Sequence, residues 1–209
     1  MESDGVHAAV GPALEFLDLA GIFVFAASGA LLAAAKRQTL VTFIFFAVIT
    51  GVGGGTVRDL LIGAPVFWIG QNAVLIICIV AALIVWMLPE RLLQGQLLLW
   101  LDAVGLAAYA SFGAAKGLAF GVAPLPAIGM GVLTGCMGGI IRDVLAGDPS
   151  ILMRPELYVT AAALSAALTV ALLLVGVPGS IAGPVAALAG FALRAAAIAR
   201  GWSLPGYDR

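Results

Sequence analysis

The sequence predicts an all-α membrane protein with seven transmembrane helices. Two three-helix repeats of opposite orientation, with kinked second and fifth helices, are followed by a seventh helix. Three observations lead to this fold class. Of 209 residues, 63% are hydrophobic and only 10% are charged, whereas an average soluble domain has roughly 25% charged residues. The apolar residues form seven long runs, and one stretch recurs 84 residues further on without a gap. We therefore predict a single transmembrane domain over residues 1–209.

Each predicted helix is an apolar run close to the roughly 20 residues that cross a bilayer. Short connectors rich in Gly, Pro, Lys and Arg separate the runs, as turns require. The first repeat covers about residues 14–88, the second about 97–175, and the extra helix about 181–199. The predicted spans are 14–35, 40–61, 72–88, 97–116, 124–145, 157–175 and 181–199.

The repeat is clearest at the ends of the second and fifth spans. Residues 51–59 read GVGGGTVRD and residues 135–143 read GCMGGIIRD. Because each repeat holds an odd number of spans, a continuous chain inserts the second repeat upside down, as in many transporters and some channels. The seventh span has no counterpart, and it is either a packing helix or an oligomer contact. The same shift superposes Asp18 on Asp102, Gly21 on Gly105, Gly29 on Gly113 and Thr50 on Thr134.

Glycine clusters are expected to break the second and fifth helices. Each glycine costs about 1 kcal/mol relative to alanine within a helix. A break exposes carbonyl groups that can replace the hydration shell of an ion. The alternative is that these glycines let helices approach closely. The residues concerned are Gly53, Gly54, Gly55, Gly138 and Gly139.

An Arg-Asp pair follows each glycine cluster, Arg58-Asp59 and Arg142-Asp143. A charge at the bilayer centre costs at least about 2.5–3.5 kcal/mol, so each needs a partner. Sequence neighbours point to different sides of a helix and are not expected to pair with each other. The repeat instead predicts the ion pairs Asp18–Arg58 and Asp102–Arg142. These residues are either structural locks between helices or part of a permeation path, and one residue can serve both roles.

Lys116 stands near the end of the fourth span. A lysine there more often extends to the membrane interface. The alternative is that it points into the pathway as a movable cationic plug. Aromatic residues at predicted helix ends are expected to anchor the chain at the membrane interfaces. They are Trp68, Trp86, Trp100 and Tyr158.

Orientation is predicted from the cations in short loops, which favour the cytoplasmic side. The side that holds the N-terminus carries only Lys116 among loop cations, together with His7. We therefore expect the N-terminus outside and the C-terminus in the cytoplasm. The other side carries Lys36, Arg37, Arg91, Arg154, Arg200 and Arg209.

The doubled glycine and Arg-Asp motif in a seven-span chain of this length resembles the prokaryotic members of the trimeric intracellular cation channel family. The same bacterial group is also described as a putative glycine transporter family. The resemblance implies a homotrimer in the cell membrane with one pore inside each protomer. It also implies permeation of K⁺ or Na⁺, mainly potassium, along the second and fifth spans. The animal members have a Lys-Glu-Val segment linked to phosphoinositide binding, whereas Gly117 and Leu118 follow Lys116 here.

Two transport functions follow, and a purely structural role is the third possibility. The leading interpretation is a passive channel for monovalent cations, because the chain has no nucleotide-binding motif. Such a channel requires that both arginines be neutralised by carboxylates. The alternative is a secondary carrier of a small zwitterion such as glycine, with an arginine holding its carboxylate. No catalytic Ser-His or Cys-His arrangement, metal-ligand cluster, cofactor motif or nucleic-acid-binding patch is evident, so we expect membrane lipids and permeant ions as partners, and no enzyme.

Overall fold

Seven α-helices make up the part of the chain described by the computed structural model, which covers residues 12–89 and 96–205, with side chains from Asp18 onward. Each helix coincides with one predicted span to within a few residues. His7, Arg91 and Arg209, which entered the orientation argument, lie outside the described residues. The helices are α1 (Pro12–Ala35), α2 (Leu40–Leu61), α3 (Asn72–Met87), α4 (Leu97–Ala119), α5 (Pro124–Leu145), α6 (Val159–Leu174) and α7 (Gly179–Arg200).

Five of these helices are long and apolar enough to cross a membrane: α1 from Asp18 onward, α2, α4, α5 and α7. Helices α3 and α6 have 16 residues each. At 1.5 Å per residue they reach about 24 Å, less than the roughly 30 Å of a hydrocarbon core. The two short helices occupy the same place in each repeat.

The helices pack as two groups of three. Helix α1 contacts α2 and α3, and α4 contacts α5 and α6 in the same way. The groups meet where α1 lies against α4 and α2 against α5, while α7 packs on α6, α4 and α1. The apolar core is divided into two clusters of buried residues, one mainly in each group, and Tyr109 of α4 joins the cluster of the first group. Large apolar side chains such as Val41, Leu125 and Leu188 remain exposed on the outside, where lipid or another subunit can cover them.

Helices α2 and α5 end in the same way. Gly63 and Gly147 follow them with φ of +67° and +71°, a conformation that glycine adopts without strain. The Ala64 N–H donates to the Asp59 carbonyl at 2.9 Å, and the Asp148 N–H donates to the Asp143 carbonyl at 3.0 Å. These bonds satisfy carbonyls that a helix end leaves without partners.

The expected interruption of α2 and α5 is wrong. Both are continuous α-helices through their glycine clusters, so the glycine carbonyls are not released as ion ligands. The glycines instead make room for neighbours, which is the close-packing alternative. A bend in the helix axes, as distinct from a break, stays a prediction.

Candidate functional site

The crossing of α2 and α5 lies at the centre of the molecule and is made by glycine. A Cβ atom on Gly138 would lie 2.5 Å from the Thr50 carbonyl oxygen, and one on Gly54 would overlap the Thr134 carbonyl oxygen. The two contacts are reciprocal, because Gly54 and Gly138 are repeat counterparts, as are Thr50 and Thr134. A Cβ atom on Gly53 would lie 3.1 Å from Ile141 Cδ1.

Each Arg-Asp pair follows its crossing glycine by four residues, which is about 6 Å along a helix. We name the first group the lysine cluster. It consists of Arg58, Asp59 and Lys116, together with the backbone N–H of Phe67. Asp59 Oδ1 lies 2.9 Å from Arg58 Nε, 2.9 Å from Arg58 Nη2 and 2.9 Å from Lys116 Nζ. Asp59 Oδ2 accepts a hydrogen bond from the Phe67 N–H at 3.1 Å.

Aromatic rings enclose the lysine cluster. The Arg58 guanidinium lies 5.1 Å from the centroid of the Phe112 ring. The Lys116 ammonium lies 6.0 Å from the Phe67 ring and 5.9 Å from the Phe120 ring. These distances allow cation–π attraction. The side chains of Arg58 and Asp59 are 0% exposed and that of Lys116 is 9% exposed, so the expectation that Lys116 extends to the membrane interface is wrong.

We name the second group the serine cluster. It consists of Arg142, Asp143, Asp102 and Ser28, together with the backbone N–H of Ile151. Arg142 Nη1 donates to Asp102 Oδ1 at 2.9 Å and to Ser28 Oγ at 3.0 Å. Arg142 Nε and Nη2 contact Asp143 Oδ1 at 2.9 and 2.8 Å. The Ile151 N–H donates to Asp143 Oδ2 at 3.1 Å. The predicted pair Asp102–Arg142 is confirmed.

The two clusters are built on the same plan. Phe67 and Ile151 are 84 residues apart, and each backbone N–H caps the aspartate eight residues before it. Ser28 corresponds by the same shift to Phe112, so the arginine meets a hydroxyl in one half and a ring in the other. Gly55 and Gly139 leave space beside the clusters, because a Cβ atom would lie 2.6 Å from Phe67 Cε1 or 3.0 Å from Tyr158 Oη.

The prediction that Arg58 and Asp59 do not pair is wrong, and so is its counterpart for Arg142 and Asp143. The spacing rule describes where side chains leave a helix. Arginine is long enough to turn its guanidinium back towards the next residue, and burial leaves few other carboxylates to meet. The proposed pair Asp18–Arg58 stays a prediction. The structure thus brings together the sequence-predicted residues Arg58, Asp59 and Lys116 in one cluster and Arg142, Asp143 and Asp102 in the other.

Sequence reasoning missed two polar residues, Ser28 and Arg194, and assigned a third, Tyr158, the wrong role. Ser28 is an ordinary serine in an apolar helix, and only its repeat position would have pointed to Arg142. Arg194 of α7 is 1% exposed, its Nη2 atom lies 2.5 Å from Glu156 Oε2, and it faces the Tyr158 ring at 5.6 Å. The sequence did offer a signal for Arg194, because a single arginine within an apolar helix needs a buried partner. Tyr158 is 1% exposed, so its predicted role as an interface anchor is wrong.

One cavity of about 280 Å³ opens beside the serine cluster. The residues that line it include Leu32, Gln96, Arg142, Asp143, Asp148 and Arg154. At its edge Lys36 Nζ contacts Asp148 Oδ1 at 2.7 Å. The Asp143 side chain is 11% exposed, whereas that of Asp59 is 0% exposed.

These features define a helical membrane protein of two related three-helix halves, each with a buried Arg-Asp cluster. A family model described as "Glycine transporter" matches the chain twice, over residues 15–90 and 99–173. The two matches begin 84 residues apart, so the repeat unit is the unit of the family. The chain belongs to this family, which includes the prokaryotic relatives of trimeric intracellular cation channels.

Known proteins similar to this chain are membrane proteins. It is 42% identical over 150 residues to the inner membrane protein YadS of Escherichia coli (strain K12), covering 70% of this chain and 72% of that protein. It is 40% identical over 153 residues to a membrane protein of Vibrio cholerae serotype O1, and this match spans 63% of that protein's length. The solved trimeric intracellular cation channel orthologue from Rhodobacter sphaeroides has a TM-score of 0.84 and 40% identity, covering 90% of this chain and 98% of that one.

Proposed function

We propose that the protein is a passive, potassium-preferring channel for monovalent cations, with a pore inside each protomer of a homotrimer. We place it in the cell inner membrane, with the N-terminus outside and the C-terminus in the cytoplasm. The similarity to a solved cation channel orthologue described as trimeric supports the function and the assembly. The similarity to a bacterial inner membrane protein supports the location.

The observation that carries the proposal is that each buried arginine contacts at least one carboxylate. An unpaired arginine in a pore repels cations, and this was the main physical objection to a cation channel. Arg58 contacts Asp59, and Arg142 contacts both Asp143 and Asp102. A pathway beside these clusters therefore presents carboxylates together with cations, and the arginines hold the carboxylates in place.

The proposed pathway runs between the two clusters along the contact of α2 and α5. The reciprocal contacts of Gly54 with Thr134 and of Gly138 with Thr50 support two helices crossing in opposite directions, as an inverted repeat requires. These contacts are tight, and in this proposal they close the pathway at its centre. The pathway therefore opens when α2 and α5 separate or bend, and when Lys116 leaves Asp59.

In this proposal Lys116 is a movable cationic plug. Its ammonium lies against Asp59, the residue that an entering cation would meet in the lysine cluster. A tethered positive charge there competes with a permeant ion for the same carboxylate oxygen. Because the amine is on a flexible side chain, its withdrawal needs only rotamer changes and no movement of a helix.

Recording from single proteins in a planar bilayer under a KCl gradient tests the proposal. We expect unitary currents that reverse near the K⁺ equilibrium potential, and a smaller Na⁺ permeability under bi-ionic conditions. Reversal near the Cl⁻ equilibrium potential would overturn the cation assignment. Mass determination in detergent or in nanodiscs tests the homotrimer independently.

The second candidate is a carrier of a small zwitterion such as glycine. The description of the family model supports it, as does the mixed lining of the cavity with Arg142, Asp143 and Arg154. Glycine counterflow in liposomes, without unitary currents in bilayers, would favour the carrier. Glycine-independent K⁺ currents would favour the channel.

A further inference from the structure

One difference between the two clusters is an ammonium group next to the aspartate that follows the arginine. Asp59 and Asp143 are repeat counterparts with the same arginine contacts and the same backbone cap. Asp59 Oδ1 has one more partner, Lys116 Nζ. The counterpart of Lys116 in the first repeat is Leu32, and Leu32 and Asp143 both line the cavity of about 280 Å³.

The charges of the two clusters differ in the same way. In the serine cluster the single guanidinium of Arg142 faces two carboxylates, those of Asp102 and Asp143. In the lysine cluster two cations, Arg58 and Lys116, face Asp59. Asp18, the counterpart of Asp102, also acts electrostatically on Lys116. Counted together with Asp18, the lysine cluster has two charges of each sign, whereas the serine cluster has one negative charge in excess.

A buried net charge is costly, and a counter-charge next to it recovers much of that cost. Among the described residues, no cation other than Arg142 lies within 4.0 Å of the carboxylate oxygens of Asp102 or Asp143. Lys36 is engaged with Asp148 at 2.7 Å. Arg154 is 55% exposed, and its nearest carboxylate contact is with Glu156 at 3.9 Å.

We propose that the cavity beside Asp143 binds a small monovalent cation with about the charge and size of an ammonium group, and that Lys116 supplies the same charge covalently in the other half. The contact of Lys116 with Asp59 shows the geometry that the equivalent carboxylate accepts: a compact cation 2.9 Å from the Oδ1 that also holds the arginine. K⁺ and the ammonium group of a small amino acid share this charge and approximate size. The inference rests on the pathway proposed above, and it adds to it a defined binding site at one end.

Binding is measured on the full-length protein in detergent, as the midpoint of thermal unfolding at constant ionic strength. The probes are K⁺, ammonium, methylammonium and glycine, against the bulky cation N-methyl-D-glucamine as the reference. We expect K⁺ and ammonium to raise the midpoint saturably over the reference. A response to methylammonium and glycine without one to K⁺ assigns the site to an amine ligand. No saturable response to any of the four probes would overturn the proposal.

Leu32→Lys provides the sharpest variant, because it reproduces the arrangement of the lysine cluster in the other half. We expect it to raise the midpoint in the reference buffer and to abolish the response to added cations. Leu32→Met is the matched uncharged control and should keep the wild-type response. A Leu32→Lys protein that still responds to K⁺ or ammonium like the wild type would contradict the proposal.

Asp143→Asn is the second variant, and it should lose the cation response. If it does not fold, Leu32→Lys and its control still decide the question. The binding result is separable from channel activity. Cation-selective currents without a saturable midpoint shift would remove the site and leave the channel, whereas anion-selective currents with cation binding would remove the channel and leave the site.

Discussion

Replacing Gly138 with alanine separates the close-packing role of the glycine clusters from a helix-breaking role. The added Cβ atom would lie 2.5 Å from the Thr50 carbonyl oxygen, inside the 3.0 Å that real Cβ contacts keep. Helix α2 or α5 must therefore move by about 0.5 Å. Overpacking typically costs about 1–3 kcal/mol, and the upper end applies because the opposing atom belongs to a backbone. Alanine regains about 1 kcal/mol of helix propensity, which leaves a net loss of about 2 kcal/mol.

The assay can use the protein's own thiols. Cys78 and Cys136 are free and buried, so a fluorogenic thiol reagent reports unfolding on heating. For a chain of about 200 residues, 2 kcal/mol corresponds to a midpoint lowered by about 4–8 °C. Gly129→Ala is the control on the same helix, because nothing lies within 4 Å of its added Cβ atom. Its midpoint should stay unchanged or rise. A Gly138→Ala midpoint equal to that of Gly129→Ala would refute the reasoning.

Three further predictions concern the buried charges. Asp102→Asn should lower the free energy of unfolding by less than the about 3–5 kcal/mol typical of a broken buried ion pair, because Arg142 keeps Asp143 as a partner and the excess negative charge of the cluster is removed. Ser28→Ala should cost about 1 kcal/mol, and thermal unfolding of both variants measures the two values. Lys116→Met should increase the open probability in bilayer recordings, and unchanged gating would argue against a plug. The double variant Arg194→Met/Glu156→Gln should be less destabilised than the sum of the two single variants, because each single variant already breaks the ion pair. A double-mutant cycle with no coupling energy would contradict a stabilising ion pair between them.

The sequence was sufficient to predict the helices, because long apolar runs and short connectors leave few alternatives. The 84-residue repeat also led to the prediction of the ion pair between Asp102 and Arg142, which the structure contains. The sequence could not predict the distances between charged groups, because these depend on side-chain length and on how the helices cross. Whether Arg58 turns back to Asp59 is decided by which carboxylates remain within reach once the helices have packed.

The glycine clusters show a second limit of prediction from the sequence. Gly54 and Gly138 are poor helix formers, and propensity alone favoured a break. Tertiary packing overrode that preference, because each glycine lies where a neighbouring backbone carbonyl approaches and both helices gain from close contact. The same five glycines fit either interpretation in the sequence, and only the position of Thr50 and Thr134 across the interface distinguishes them.

Phe112 stands in the second repeat at the position that Ser28 occupies in the first. The two ends of the proposed conduit therefore differ in polarity. Phe67, Phe112 and Phe120 surround the cations of the lysine cluster with aromatic rings, while Ser28, Lys36 and Asp148 make the surroundings of the serine cluster hydrophilic. Because its two ends differ, a pore built from this duplicated fold is not expected to conduct cations equally in both directions. Current through it would rectify, and exchanging the residues at positions 28 and 112 would weaken or invert that preference while the frame stayed the same.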